Sequence, residues 1–303
     1  MIHYLILLLA VLMFTAQFGF TKIYGEKAEQ KTTPTYVMLV IISIIGAVMY
    51  LLVGGFKVHF SWNLILYASL FAIIMIPYYI LGIKVLSLGS VAIYSMFMML
   101  GGMLLPFVYG LVLLDEPLTF GKTVGCIILT AAIFMQSVVQ KNKNENLDEI
   151  SEKKGLFILL CIAIFILNGM TGVIAKAYQV SESTPDEIGF TVISCIFTAI
   201  FSILFLIPNA VKNKEEVNTT IKKALSPVLL LCMTAIGIFT HTGNFLHLKA
   251  AAHLPASIQF PMVSGGVIVF SAIVSTKLFK EKMCKAELWC IIAACFSTLM
   301  FAF

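Results

Sequence analysis

Long apolar stretches, each followed by a short polar one, set the rhythm of this chain. Ten of them succeed one another, at about 2–24, 36–54, 63–83, 88–113, 121–140, 155–177, 188–208, 227–248, 255–278 and 287–303. About 20 apolar residues in helical form cross the hydrocarbon of a bilayer, where only a helix or a closed barrel satisfies its own backbone polar groups. The pattern predicts an all-α membrane protein with ten transmembrane helices. The segments between them, at 25–35, 55–62, 115–120, 141–154, 181–187, 210–226 and 280–286, are polar loops too short to hold a soluble domain. The first stretch lacks a basic leading region and runs long before Lys22, so it reads as a retained helix rather than a signal peptide.

The second half of the chain repeats the first, loosely but in order. Lys22 and Tyr24 recur as Lys176 and Tyr178, 154 residues on. Further along, Lys84 recurs as Lys249, Gly101-Gly102 as Gly265-Gly266, Glu116 as Glu281, and Cys126-Ile127-Ile128 as Cys290-Ile291-Ile292, at offsets of 164 or 165. One insertion accounts for the jump, because the segment at 210–226 is longer than its counterpart at 55–62. This predicts two five-helix repeats, 1–140 and 155–303, joined by a charged linker at 141–154. An odd number of spans per repeat turns the second repeat upside down. Inverted repeats give a protein two pseudo-equivalent conformations that open alternately to either side of the membrane, so transport is the expected use.

The hairpin between the fourth and fifth spans carries a family resemblance. Pro106 to Leu113, then Leu114-Asp115-Glu116-Pro117-Leu118, then Gly125, is similar to the EamA-type, ten-helix branch of the drug/metabolite transporter superfamily. Phe279-Lys280-Glu281 keeps the turn in the second half, while the proline falls early, at Pro261, and Cys290 replaces the glycine. The resemblance covers the whole chain, and it implies a secondary transporter with a central cavity lined by spans 1, 3, 4, 6, 8 and 9. Its cargo would be a small polar or amphipathic metabolite, an amino acid or related organic solute, exported across the plasma membrane. A multidrug or toxic-compound exporter of the same fold is the alternative, and a non-transporting membrane assembly or intramembrane enzyme subunit is an alternative of another class.

Composition narrows the choice. The chain is 60% apolar and only 12% charged, with a mean hydropathy of +1.01, against about 25% charge in soluble domains, which excludes soluble and disordered classes. All 20 basic residues are Lys. Without Arg, and with a net charge of +5, nucleic acid is not an expected partner. The expected partners are the bilayer and a small-molecule substrate, and the oligomeric state stays open. Seven scattered Cys form no CxxC pair, so neither a disulfide framework nor a metal site is expected. Phosphate-loop and HExxH motifs are absent, so no catalysis and no cofactor are expected. Sixteen Lys fall at connections after odd-numbered spans and four (Lys57, Lys122, Lys176, Lys249) on the other face, which by the positive-inside rule puts both termini outside, whereas the resemblance implies termini in the cytoplasm.

All fifteen acidic residues lie in loops or at span edges, which argues against a carboxylate-gated cation/proton antiporter. Candidate chemistry is therefore neutral. His241, Asn244 and His247 recur every third residue in the eighth span, and His241 could couple a proton or simply join two helices as a neutral group. Gln17 in the first span and Asn168 and Thr171 in the sixth can hydrogen-bond a solute or act as packing glue. Tyr79 and Tyr94 match Asn244 and Gln259 at an offset of 165, so polar positions recur in both halves. Gln17, Tyr79, Tyr94, Asn168, Thr171, His241, Asn244 and Gln259 are the expected cavity lining, with Pro106 and Pro261 as hinges beside the paired glycines. Lys22, Lys84, Lys176 and Lys249 end their spans, where long side chains snorkel to the interface unless one of them meets an anionic substrate group. The charged turns at 115–117 and 280–282 are expected to cap helices and fix their hairpins.

Overall fold

The computed structural model describes residues 2–28, 32–115, 119–142, 148–212, 214–251, 253–254 and 256–300. Among them the chain forms helices and no strand. These are α1 (Ile2–Lys27), α2 (Thr32–Val53), α3 (Trp62–Leu88), α4 (Val91–Leu113), α5 (Phe120–Asn142) and α6 (Asp148–Ser181), then α7 (Glu187–Lys212), α8 (Lys214–Ala224), α9 (Pro227–Ala251), α10 (Ala256–Lys277) and α11 (Lys285–Met300). Seven are long and apolar enough to cross a membrane: α1 to α4, α6, α7 and α9. Their outward surfaces are apolar as well. On α3, Leu66, Leu70 and Ile73 are exposed, while Leu64, Ala68, Ala72 and Ile76 are buried on the other face. A helix that is apolar all round needs lipid on its outer side. The chain is an all-α, multi-pass membrane protein.

Two expectations change. The segment at 210–226, read as a loop, contains the 11-residue helix α8. Its Lys and Glu hide the pattern, but Val217, Ile221 and Ala224 repeat at helical spacing, and Val217 and Ala224 are buried where α8 packs on α2 and α7. The linker at 141–154 is largely helical too, since α5 runs to Asn142 and α6 begins at Asp148.

The chain gathers into two compact units, and each takes segments from both halves. Unit 1 is Met1–Gly19, Leu88–Gly169 and Thr242–Phe303; unit 2 is Phe20–Ser87 and Met170–His241. In unit 1, α4 packs on α10, α10 on α11, and α11 on α5. The Ser297 hydroxyl donates to the Gly125 carbonyl at 2.7 Å, tying α11 to α5. In unit 2, α2 packs on α7, and the small hydroxyl residues Ser43 of α2 and Ser194, Thr198 and Ser202 of α7 are buried. Small side chains let helices approach closely in lipid, where dispersion rather than hydrophobic exclusion joins them.

Pairs of positions separated by the sequence offsets make matching contacts. Tyr24, near the end of α1, donates its hydroxyl to the Pro34 carbonyl in the first turn of α2, at 2.6 Å. Tyr178, 154 residues on and near the end of α6, accepts from the Asp186 N–H at 3.0 Å at the start of α7. Asp115 and Lys280, 165 residues apart, are both left-handed, with φ of 51° and 53°, after α4 and after α10. That conformation is unusual for a residue with a side chain. Gly101 meets Phe165 of α6, and Gly266 meets Val11 of α1. Residues 11 and 165 are again 154 apart, and Gly101 and Gly266 belong to the two matched glycine pairs.

The capping expectation holds in a changed form. Glu281 caps a different element from its own hairpin: its carboxylate accepts from the N–H of Val91, the first residue of α4, at 3.3 Å, and from the Ser275 hydroxyl. Ser90, the N-cap of α4, is 2.9 Å from Ser275 of α10 and accepts from the Ala92 N–H. The matching residues Glu116 and Pro117 lie outside the described residues. In α11, buried Glu287 accepts from the Cys284 N–H at 2.7 Å, which is half of a capping box.

Candidate functional site

The expected cavity residues divide between the two units. Gln17, Tyr94, Asn168 and Asn244 belong to unit 1, and Tyr79, Thr171 and His241 to unit 2. Gln259 and Pro261 lie in α10, outside the residues whose side chains are described.

In unit 1 a belt of contacts runs through four helices. Phe14 of α1 meets the His247 ring of α9 edge-on, with centroids 6.5 Å apart, and Gly243 gives it room: a Cβ there would stand 3.0 Å from the Phe14 ring. One turn on, Phe18 meets the Tyr94 ring of α4 edge-on at 5.5 Å. Gln17 lies between these two anchors in sequence and is buried. Asn168 of α6 donates its amide to the Met98 carbonyl of α4 at 2.7 Å. Gln17, Tyr94 and Asn168 thus sit on adjoining helices. Asn244, beside Gly243 on α9, is exposed.

Asn168 also sits beside a close approach of α4 and α6. A Cβ on Gly101 would stand 2.1 Å from the Phe165 carbonyl oxygen, and one on Gly169 would stand 2.7 Å from the Gly101 oxygen. In the glycine pair of α4, Gly101 thus meets backbone, and Gly102 meets the Asn168 side chain. Pro106 lies within α4, which continues unbroken to Leu113.

In unit 2, His241 is buried against α2. Its Nε2 is 3.2 Å from the Ile42 carbonyl, and because a carbonyl only accepts, Nε2 carries the proton. The ring fits a notch at Gly46, where a Cβ would overlap it at 2.3 Å, and the Tyr50 ring meets it edge-on at 5.8 Å. The Tyr50 hydroxyl reaches the His241 carbonyl at 3.4 Å. Through the Ile42 contact the ring joins two helices, α9 and α2. Nδ1 is buried with no partner among the described residues. Tyr79 is buried on α3 beside Tyr78, their rings 5.3 Å apart, and Thr171 is half-buried on α6.

The expected polar stripe of α9 is not one surface. Three residues of helix advance about 300°, so each step drifts by about 60° and the ends of the stripe differ by about 120°. His241 accordingly meets α2, His247 meets α1, and Asn244 is exposed. Lys84 and Lys249 are exposed at their helix ends, as snorkelling requires, and Lys176 is half-buried. Lys22 departs from the expectation and is buried at 8% exposure.

Sequence reasoning missed the partners of these residues. Gly46 and Tyr50 stand four apart on one face of α2, and a lone glycine in an otherwise bulky span was the available signal. It also missed Asp186. This residue caps α7, accepting from the Gly189 N–H at 2.8 Å, and its other oxygen accepts from the His59 N–H at 3.0 Å, tying the α2–α3 loop to the start of α7. No known family model matches this chain, and no curated protein matches it either.

Proposed function

We propose that the chain is a secondary transporter of the drug/metabolite transporter type, with ten spanning helices in two inverted five-helix repeats, 1–140 and 155–303. One observation carries this reading: helices matched between the halves pack against each other. The pairs are α2 with α7, α4 with α10, and α5 with α11. Elements related by a two-fold axis meet one another only where they lie beside it, so mate-on-mate packing three times over is what an internal two-fold produces. The matched tyrosine bonds and left-handed turns support the same pairing. On this reading α5, α10 and α11 complete the ten spans. Inverted repeats supply two conformations of nearly equal energy, which is what alternating access needs.

The cargo is a small polar or amphipathic metabolite of the amino-acid kind, carried outward across the plasma membrane. Gln17, Tyr94 and Asn168 supply neutral hydrogen-bonding groups beside aromatic faces, an arrangement that suits a solute without net charge. Purified protein in liposomes, offered a panel of labelled metabolites at two pH values, tests this reading. Saturable uptake or release of at least one organic solute is expected, with reduced flux in Gln17→Ala. Liposomes that pass none of the panel faster than empty vesicles would sink it.

A further inference from the structure

Helix α8 is the one described element without a counterpart in the first half, where 55–62 joins α2 to α3 directly. A repeat does not need it, so its composition bears on a separate purpose. Val217, Ile221 and Ala224 line its inner face against α2 and α7, whereas Lys222 and Lys223 in its last turn are exposed. Apolar residues bound it on both sides. Val211, before α8, is 80% exposed, and Leu225, Val228 and Leu231, after it, are exposed as well. Exposed apolar positions in a membrane protein mark its lipid-facing girdle, so the two lysines stand where that girdle gives way to water. Exposed Glu215 lies about 10 Å back along the α8 axis, roughly one screening length away. By the lysine count this face is the one that meets the anionic leaflet.

We propose that α8 is an interfacial anchor that binds anionic phospholipid headgroups through Lys222 and Lys223. Ammonium groups at the headgroup level gain from an anionic surface without needing the two-pronged geometry of arginine. The inference rests on the membrane location and sidedness of the chain, not on transport, so it can fail while the transport reading stands.

The test is thermal unfolding of the full chain in phosphatidylcholine micelles titrated with phosphatidylglycerol. Phosphatidylglycerol is expected to raise the melting temperature of the wild type. Lys222→Gln/Lys223→Gln is expected to need about thirtyfold more of it for half the effect, from roughly fivefold per lysine. Lys222→Gln alone is expected to need about fivefold more, which keeps the test open if the double variant does not fold. Arg at both positions, and Lys57→Gln on the opposite face, are expected to respond as the wild type does. An unchanged response in the Gln variants overturns the proposal, and so does an equal rise with inorganic phosphate in place of the lipid.

Discussion

Two helix crossings at the matched glycine pairs of the proposed repeat are built differently. Where α4 crosses α6, Gly101 lies against backbone: a Cβ would stand 2.1 Å from the Phe165 oxygen and 2.7 Å from two further backbone atoms of that residue. Where α10 crosses α1, Gly266 lies against side chain, and a Cβ would meet the Val11 methyls at 3.1 Å. Both positions carry glycine, but only the first is obligatory. A valine can turn or shift by a few tenths of an ångström, whereas a helix backbone moves only with the whole helix. One architecture has settled into a rigid joint in one half and a yielding joint in the other.

The largest effect tests that contrast directly. Gly101→Ala is expected to destabilise by about 3 kcal/mol or more, at or beyond the upper end for overpacking, and to reduce the yield of monodisperse protein in detergent sharply. Gly266→Ala is expected to cost under about 1 kcal/mol, because relief at Val11 is offset by the better helix propensity of alanine. Melting of both variants in one detergent decides the matter; equal losses at the two sites would erase the distinction.

The next effect compares the starts of α2 and α7. Asp186→Ala removes both the N-cap of α7 and the tie to His59, and is expected to cost about 1–2 kcal/mol. Asp186→Asn, which still caps, should keep most of that stability. The hydroxyls that hold these junctions come third. Tyr24→Phe and Tyr178→Phe are each expected to cost about 1 kcal/mol, the usual net worth of a hydrogen bond. Tyr178→Phe should cost more, since its hydroxyl both accepts from the Asp186 N–H and donates to the Asp186 carbonyl at 3.4 Å. Thermal melting of the four variants ranks them, and a Tyr24→Phe loss above that of Asp186→Ala would contradict the ordering.

What was legible in the sequence follows from the physics of each signal. Span positions show because a membrane demands about 20 apolar residues in a row, a constraint no local context overrides. The offsets of 154 and 165 show because Lys, Tyr and Gly at the span ends answer to local geometry, and the same residues recur in the Tyr24 and Tyr178 bonds. Helix α8 was hidden because three inward residues among Lys and Glu look like a solvated loop until α2 and α7 give them something to cover. The surroundings of His241 were hidden for a related reason. A polar residue in an apolar span announces that it needs a partner, but Ile42 and Gly46 lie some 200 positions earlier and neither advertises an empty notch.

The smallest effect is also the one most specific to the α4–α6 joint. Asn168→Ala removes the bond to the Met98 carbonyl, and hydrogen bonds between membrane helices average about 0.6 kcal/mol, because the unfolded chain in lipid finds other partners. The neighbouring Gly102 supplies a second test of the same contact. A Cβ there would stand 2.5 Å from the Asn168 amide nitrogen and 3.6 Å from its Cγ, with no other contact within 4 Å among the described residues outside its own helix. In the wild type, Gly102→Ala must push that amide off Met98, which offsets the gain of up to about 1 kcal/mol from replacing glycine inside a helix. In the Asn168→Ala background the obstruction is gone, so Gly102→Ala should stabilise by up to about 1 kcal/mol. The cycle therefore has a predicted sign: alanine at 102 is neutral or harmful with Asn168 present and helpful without it. Melting temperatures of the four proteins read that sign, and additive changes would mean that Asn168 and Gly102 do not meet as the structure places them.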